Sequence, residues 1–265
     1  MDDDPTVPSG RAAAFRPVSA TSSKPAKRPA FYAARPGGWR DWWTLLHPPY
    51  TAWHLAYVVI GACLAPQVSV SRLVGTLLAF FCAVGLSAHA LDELHGRPLG
   101  TRIPTSMLVG VTIAGLAGAI AFGALGVWRV GWVLVPFIVL GPLLVLAYNL
   151  ELFGGFVHTD LGFALAWGSF PVLVAYVAQT GSLAVAPVIA AAGACAWSLA
   201  QRRLSTPARF LRRRVTEVEG RATLRDGSAV PIDQGTLLAP LEGALKAMTW
   251  SVILIAAGLA VATLT

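Results

Sequence analysis

The chain has 265 residues, of which 55% are hydrophobic and only 12% are charged, and its net charge is +7. A soluble domain carries about 25% charged residues, and the apolar residues here form long blocks, so this composition excludes an ordinary soluble domain and indicates an integral membrane protein. An excess of Lys and Arg in such a protein is typical of loops kept on the cytoplasmic face, so we expect no nucleic-acid partner.

The amino-terminal part differs from the rest of the chain. Residues 1–38 are rich in Pro, Ala, Ser, Lys and Arg, which is typical of a disordered basic cytoplasmic tail. The basic run in this tail would either rest on anionic lipid head groups or only set the topology. Trp39, Trp42 and Trp43 follow, and because tryptophan favours the head-group level, residues 39–47 are predicted to form an interfacial segment.

The apolar blocks that follow predict an all-α fold, a polytopic membrane helix bundle of about seven transmembrane helices within residues 48–265. Each block is close to the span of about 20 residues that a bilayer requires. The predicted helices are 48–65, 71–94, 105–125, 128–150, 160–179, 182–199 and 241–264. Residues 200–240 form a long cytoplasmic loop, with a basic surface helix over 201–214 and a small β-hairpin around Asp226-Gly227.

The distribution of basic residues predicts the orientation. If the amino terminus is cytoplasmic, 18 of the 20 Lys and Arg residues fall on the inner side, when Lys246 near the start of the predicted helix 241–264 is included, and only Arg72 and Arg129 fall outside. Positive residues are retained in cytoplasmic loops, so we expect a multi-pass protein of the cell membrane with its amino terminus inside.

The densest polar cluster lies at the inner end of predicted helix two. His89, Asp92 and Glu93 share a helix face at positions i, i+3 and i+4, and His95 follows. Imidazole and carboxylate groups on one face suit acid–base chemistry or a divalent cation, and carboxylates suit Mg²⁺. The alternative is a helix end in the interface that simply pairs Asp92 or Glu93 with Arg97.

A second cluster follows predicted helix four on the same side. It contains Tyr148, His158 and Asp160. Asp160 is either a polar group of the site or a plain N-cap of the next helix, a role that Thr159 would serve equally well.

A third cluster follows predicted helix six and contains Arg202, Arg203 and Arg209. The planar guanidinium group matches a diphosphate in geometry and charge. The alternative is that these arginines only hold the loop inside.

Residues 92–99, Asp-Glu-Leu-His-Gly-Arg-Pro-Leu, resemble the first aspartate-rich motif of the UbiA-type intramembrane prenyltransferases, which reaches an Arg-Pro-Leu. Tyr148 and residues 162–181 are similar to the fourth and fifth helices of that family. The resemblance covers about residues 45–200. The family's second motif should follow predicted helix six, where no carboxylate occurs before Glu217.

The resemblance implies a transferase that binds a prenyl diphosphate through Mg²⁺ and adds the prenyl group to an acceptor. It implies membrane lipids and a prenyl diphosphate as partners. Under this hypothesis the catalytic residues are His89, Asp92 and Glu93, and the metal ligands are Asp92, Glu93 and His95. The substrate-binding residues are Arg97, Tyr148, His158, Asp160, Arg202 and Arg203.

Two other functions remain open. One is a non-catalytic membrane protein on the same fold that binds a lipid or a partner, which the lack of a second aspartate motif favours. The other is a metal-dependent membrane hydrolase that uses His89, His95 and His158.

Overall fold

A computed structural model of the protein describes residues 28–265. The predicted disordered tail extends over residues 1–38, and residues 1–27 of it lie outside the described part of the chain. Most of the described chain is helical.

The helices, in chain order, are α1 (Trp39–Leu45), α2 (Pro48–Cys63), α3 (Val70–Phe80), α4 (His89–Leu94), α5 (Thr105–Val130), α6 (Val135–Asn149), α7 (Asp160–Ala164), α8 (Phe170–Thr180), α9 (Val185–Arg213) and α10 (Gln234–Leu264). The π-helical turns Phe81–Ala88 and Leu165–Ser169 join α3 to α4 and α7 to α8, so each pair forms one continuous helix.

Within residues 28–265, five helices are long and apolar enough to cross a membrane, so the prediction of an all-α bundle with membrane-crossing helices is confirmed at that level. They are Val70–Leu94, Thr105–Val130, Trp132–Asn149, Asp160–Thr180 and Gln234–Leu264, and the third consists of α6 and the 3₁₀ turn Trp132–Leu134 that directly precedes it. The other two helices of the predicted seven do not meet this description. At 16 residues, α2 is about 24 Å long, whereas a bilayer core is about 30 Å thick, and α9 ends in a run rich in arginine.

The structure moves several predicted helix ends, and the last helix, α10, begins at Gln234 rather than at 241. α9 continues without interruption to Arg213, so the predicted surface helix over 201–214 is the last part of α9 rather than a separate element. Arginine and leucine are good helix formers, and no glycine separates the two parts. α5 likewise continues to Val130 and ends at Gly131, whose φ of 117° interrupts the helix.

The centre of the bundle is α2, which packs against α8 and α10 and beside α3. Trp53 and Tyr57 are almost completely buried between α2 and its neighbours α8, α9 and α10. At Gly61, α2 lies so close to the backbone of Val172 on α8 that a side chain would not fit. Small residues permit this approach, which favours helix association in lipid.

A small hairpin separates α9 from α10. Strands β1 (Gly220–Thr223) and β2 (Ala229–Ile232) are antiparallel, with Gly220 opposite Ile232 and Thr223 opposite Ala229. The Asp226 carboxylate accepts a hydrogen bond of 2.9 Å from the backbone N–H of Ser228, and Gly227 takes the positive φ of 83° that the turn requires.

The described end of the predicted tail packs on the bundle. Ala30 and Ala33 are buried. The backbone N–H of Ala34 donates to Thr44 Oγ1 at 3.0 Å, and Arg213 Nε donates to the carbonyl oxygen of Pro29 at 3.3 Å. Residues 29–34 therefore form part of the wall at this end of the molecule.

Candidate ligand site

A cavity of about 320 Å³ lies at the end of the bundle where α4 and α6 finish and α7 begins. We call it the polar cavity. Its walls come from residues 29–32, the junction of α1 and α2, α4, the end of α6, and helices α9 and α10. Val84, Phe163 and Trp167 provide an apolar part of the wall.

Five of the predicted site residues line the polar cavity. They come from all three polar clusters, which the fold brings together: His89, Asp92, Tyr148, His158 and Arg202. Three segments that are distant in the sequence therefore meet at one cavity, which the sequence alone could not show.

One wall of the polar cavity carries a concentrated positive charge. Arg202, Arg209 and Arg213 are spaced by seven and four residues along α9, so they share one helix face, and all three line the cavity. Burial, and then the charges of Arg202 and Arg213, lower the pKa of Arg209. Arginine nevertheless stays protonated in proteins, so this wall is a fixed cationic surface that suits phosphate oxygens.

Asp160 holds Arg202 in place. Its Oδ1 accepts a hydrogen bond of 3.0 Å from Arg202 Nε, and the Arg202 guanidinium lies over the Phe163 ring at 5.1 Å. Asp160 does not cap α7, because Thr159 Oγ1 accepts the bond from the backbone N–H of Gly162 at 2.9 Å. The carboxylate therefore positions an arginine that faces the cavity.

Tyr148 and His158 form a stacked pair on the cavity wall. Their ring centroids are 4.4 Å apart, and the interplanar angle is 20°. His158 Nδ1 donates to the carbonyl oxygen of Tyr148 at 2.8 Å, which fixes the orientation of the imidazole.

Glu93 and Arg97 do not line the polar cavity but close the loop that follows α4. The fully buried Glu93 carboxylate accepts bonds from the backbone N–H groups of Leu99 and Thr101 and from the Thr101 hydroxyl, at 3.0, 2.8 and 2.8 Å. Arg97 Nη1 donates to the carbonyl oxygen of Ile103 at 2.6 Å. Both side chains have structural partners in the protein itself.

His95 and Arg203 also lie outside the cavity wall. His95 is exposed. The Arg203 side chain is 82% exposed, and its Nε is 4.0 Å from Asp160. Of two adjacent arginines, only Arg202 therefore faces the cavity.

The described residues do not fit the predicted magnesium site. Within residues 28–265 no three His, Cys, Asp or Glu side chains are grouped so as to hold a metal ion. Asp92 faces the cavity, Glu93 faces the loop and His95 faces outward. A second carboxylate on the cavity wall, Glu242, is bonded to Arg212. The geometry assigns no step to Mg²⁺.

The wall of the polar cavity also contains three aromatic side chains that belong to none of the predicted polar clusters. His47, Tyr32 and Tyr50 line the cavity, and the His47 ring lies 4.2 Å from the His89 ring and 5.3 Å from the Tyr32 ring. The only sequence feature near this wall is the Pro48-Pro49 pair directly after His47. A residue before proline is restricted in its backbone conformation, so the pair indicates an unusual backbone at His47 but not a cavity wall. Nothing in the sequence pairs His47 with His89.

A second cavity, of about 380 Å³, lies at the other end of the α3–α4 helix, between α3, α5, α6 and α8. Apart from Arg72, Arg129, Ser71 and Thr76, its walls are apolar. Arg72 is bonded to the carbonyl oxygens of Gln179 and Arg129, at 2.7 and 3.2 Å. The polar cavity is therefore the better candidate for chemistry.

Comparison of the chain with known protein families, with curated proteins and with solved structures found no match.

Proposed function

We propose that this protein binds the diphosphate head of a prenyl lipid in the polar cavity and transfers the prenyl group to an acceptor, as a divergent relative of the UbiA-type prenyltransferases. The observation that carries the proposal is the arginine face of α9, which stands in one cavity with Asp92 and with the apolar side chains Val84 and Trp167. Such a cavity matches a ligand with an anionic head and a hydrocarbon body.

The proposal includes an arrangement in the cell membrane. The five apolar helices, together with α2 and the first part of α9, would make seven transmembrane helices with the amino terminus inside. The excess of Lys and Arg at the polar-cavity end supports this orientation. A cytoplasmic opening would give the cavity access to soluble diphosphates and to lipid.

The proposed reaction breaks the bond between the allylic carbon and the bridging diphosphate oxygen, and the electron pair leaves with the diphosphate. A nucleophilic atom of the acceptor forms the new bond to that carbon and gives its proton to a general base, the role proposed for the Asp92 carboxylate. Arg202 and Arg209 would stabilise the charge on the departing diphosphate, and Asp160 would keep Arg202 in position. Asp92 is the carboxylate of the predicted motif that faces this cavity.

A second candidate is a non-catalytic lipid-binding protein with the same cavity. The engagement of Glu93 in the loop and of Glu242 with Arg212 favours it, because these carboxylates already have partners. In this case the arginine face would bind the lipid head and no bond would break.

The test uses purified full-length protein and labelled farnesyl and geranylgeranyl diphosphate, with and without Mg²⁺. Removing an arginine that bonds a phosphate group costs about 1.5–3 kcal/mol, roughly a tenfold to hundredfold loss of affinity. We therefore expect Arg202→Ala to weaken diphosphate binding by that factor. Arg203→Ala is the matched control, because it removes the same group one residue away, outside the cavity, and should bind like the wild type.

Turnover separates the two candidates. Loss of prenyl transfer in Asp92→Ala, with diphosphate binding retained, supports the transferase. Equal lipid binding by the wild type and Asp92→Ala, with no turnover in either, supports the non-catalytic protein. If the wild type binds neither diphosphate, or if Arg202→Ala and Arg203→Ala bind alike, the proposed anion site is wrong.

A further inference from the structure

The second cavity, which we call the apolar cavity, opens on the outer surface of the bundle. Its volume is about 380 Å³, and its walls come from α3, α5, α6 and α8, which belong to four of the five helices that are long and apolar enough to cross a membrane. Its lining includes four apolar side chains that are 40% to 58% exposed, Val74, Leu78, Ile120 and Leu125. In a membrane this surface faces hydrocarbon, so the matching occupant is an apolar chain.

The length of the apolar cavity matches one leaflet of a bilayer. On α5 its lining residues begin at Ala119 and reach Arg129, ten positions later. At 1.5 Å per residue this part of α5 extends about 15 Å, which is half of the roughly 30 Å thickness of the hydrocarbon core. One acyl chain of a membrane lipid therefore fits the cavity in length, with the head group of that lipid at the arginine end.

That end of the apolar cavity carries positive charge that no acidic side chain balances. Arg72 and Arg129 both line the cavity, near the ends of two membrane-crossing helices. The loops at this end, residues 64–69, 131–134 and 181–184, contain no Asp or Glu. No ion pair within residues 28–265 includes either arginine. An anion from outside the protein would therefore meet two positive charges without competition from a carboxylate.

The two arginines also have hydrogen-bond donors to spare. Arg72 donates to the carbonyl oxygens of Gln179 and Arg129, at 2.7 and 3.2 Å, which fixes its position but leaves its charge unbalanced. The Arg129 guanidinium lies 5.3 Å from the centre of the Trp128 ring and has no ion-pair partner in the described chain. Each guanidinium group has five N–H donors, so most of them remain for a ligand.

Two tryptophans mark the depth of this end in the membrane. Trp128 and Trp132 are 78% and 82% exposed and lie on either side of Arg129 in the sequence. Exposed tryptophan is enriched at the level of the lipid head groups. The arginine end of the apolar cavity is therefore placed where the phosphate of a lipid lies, and the rest of the cavity where its acyl chain lies.

We infer that the apolar cavity binds an anionic phospholipid, with one acyl chain between α3, α5 and α6 and the phosphate of its head group on Arg72 and Arg129. Guanidinium groups form strong, charge-assisted hydrogen bonds with phosphate oxygens. A zwitterionic head group brings its own cation close to the two arginines, and the repulsion reduces its binding. This site lies at the other end of the bundle from the polar cavity and does not rest on the proposed function.

The test titrates the full-length protein in detergent with phosphatidylglycerol or phosphatidylcholine of identical acyl chains and counts the bound lipids by native mass spectrometry. We expect the wild type to bind the first phosphatidylglycerol about tenfold more tightly than phosphatidylcholine, which is the effect of a hydrogen bond to a charged group. Arg129→Gln should remove this preference, and because Arg129 is exposed the variant should fold. Arg225→Gln is the matched control, since Arg225 is an exposed arginine between the strands of the hairpin, and it should keep the preference.

A second variant tests the position of the acyl chain. Gly75 lines the apolar cavity, and a Cβ atom there meets no atom within 4 Å, so Gly75→Leu fills the cavity without a clash at its Cβ atom. It should lose the tightly bound lipid of either kind. Gly110→Leu is the matched control, because a Cβ atom on Gly110 is equally free and Gly110 lies outside the cavity, and it should bind lipid like the wild type.

Thermal unfolding of each variant checks that it is folded. Equal binding of the two lipids by the wild type, or the same preference in Arg129→Gln and Arg225→Gln, overturns the inference. It also fails if Gly75→Leu retains lipid as Gly110→Leu does, because the chain then lies elsewhere. A dimer that Gly75→Leu converts to a monomer would assign the apolar cavity to a second copy of the chain and overturn the lipid site.

Discussion

At the scale of single residues, neighbours in the sequence have different roles in the fold. Asp92 faces the polar cavity, whereas Glu93 accepts three hydrogen bonds from the loop that follows α4. The same division separates Arg202, which lies 14% exposed against Asp160, from the exposed Arg203. The arginine pair supplies its own control, because Arg202 and Arg203 carry the same charge and only Arg202 lines the cavity.

Glu93→Ala should destabilise the protein severely. The substitution leaves the N–H groups of Leu99 and Thr101 and the Thr101 hydroxyl without a partner in a buried place. Each such loss costs about 1–3 kcal/mol, so we expect at least about 3 kcal/mol in the free energy of unfolding. Denaturant unfolding in detergent measures it. Glu217→Ala, at an exposed carboxylate, should change stability by less than about 0.5 kcal/mol. Equal stability of both variants would contradict the structural role of Glu93.

At the scale of secondary-structure elements, close helix contacts depend on glycine. A Cβ atom built on Gly61 would lie 2.2 Å from the carbonyl oxygen of Val172, and one on Gly168 would lie 2.7 Å from that of Ala194. At Gly61, α2 is in close contact with α8. At Gly168, the π-helical turn before α8 is in close contact with α9. Because the obstructing atoms belong to backbone, they cannot rotate away, so helix spacing at these points depends on a missing side chain.

Gly61→Ala should therefore force α2 and α8 apart. Overpacking of a tight contact costs about 1–3 kcal/mol, and a rigid backbone neighbour favours the upper part of this range. Thermal unfolding should show a clear fall in the transition temperature. Gly193→Ala on α9 is the control, because a Cβ atom there meets no atom within 4 Å, and alanine is the better helix former. A transition temperature of Gly61→Ala at or above that of Gly193→Ala would show that this packing is wrong.

At the scale of the whole molecule, the two ends of the bundle differ in charge and in cavity. The polar cavity, the hairpin and the arginines of α9 are all at the end where α4 finishes. The apolar cavity with Arg72 and Arg129 is at the other end. Positive residues determine the orientation of a membrane protein. One experiment can therefore test on which side of the membrane each end of this bundle lies.

A cysteine introduced at one position at a time, and labelled with a membrane-impermeant maleimide, provides that experiment. Ser182 and Ser228 are exposed residues near opposite ends of α9. With the amino terminus inside, Ser182→Cys should react in intact cells, and Ser228→Cys only after permeabilisation. The wild type, whose Cys63 is buried and whose Cys82 and Cys195 are partly buried, gives the background. The reverse pattern of labelling would contradict the proposed orientation.

The helical class and the approximate positions of the apolar helices follow from the amino-acid sequence alone. The length of an apolar block is a local property of the sequence, and a helix that crosses a bilayer requires about 20 apolar residues. It also marked the three polar clusters, of which His89, Asp92, Tyr148, His158 and Arg202 meet in one cavity.

Which members of each cluster face the cavity is known only from the folded protein. Successive side chains on an α-helix point about 100° apart, so Asp92 and Glu93 had to diverge, but their spacing does not say which of them turns towards the loop. The His47–His89 contact depends on how distant helices pack. Contacts of that kind have no local pattern, so the polar cavity is visible only when the chain is folded.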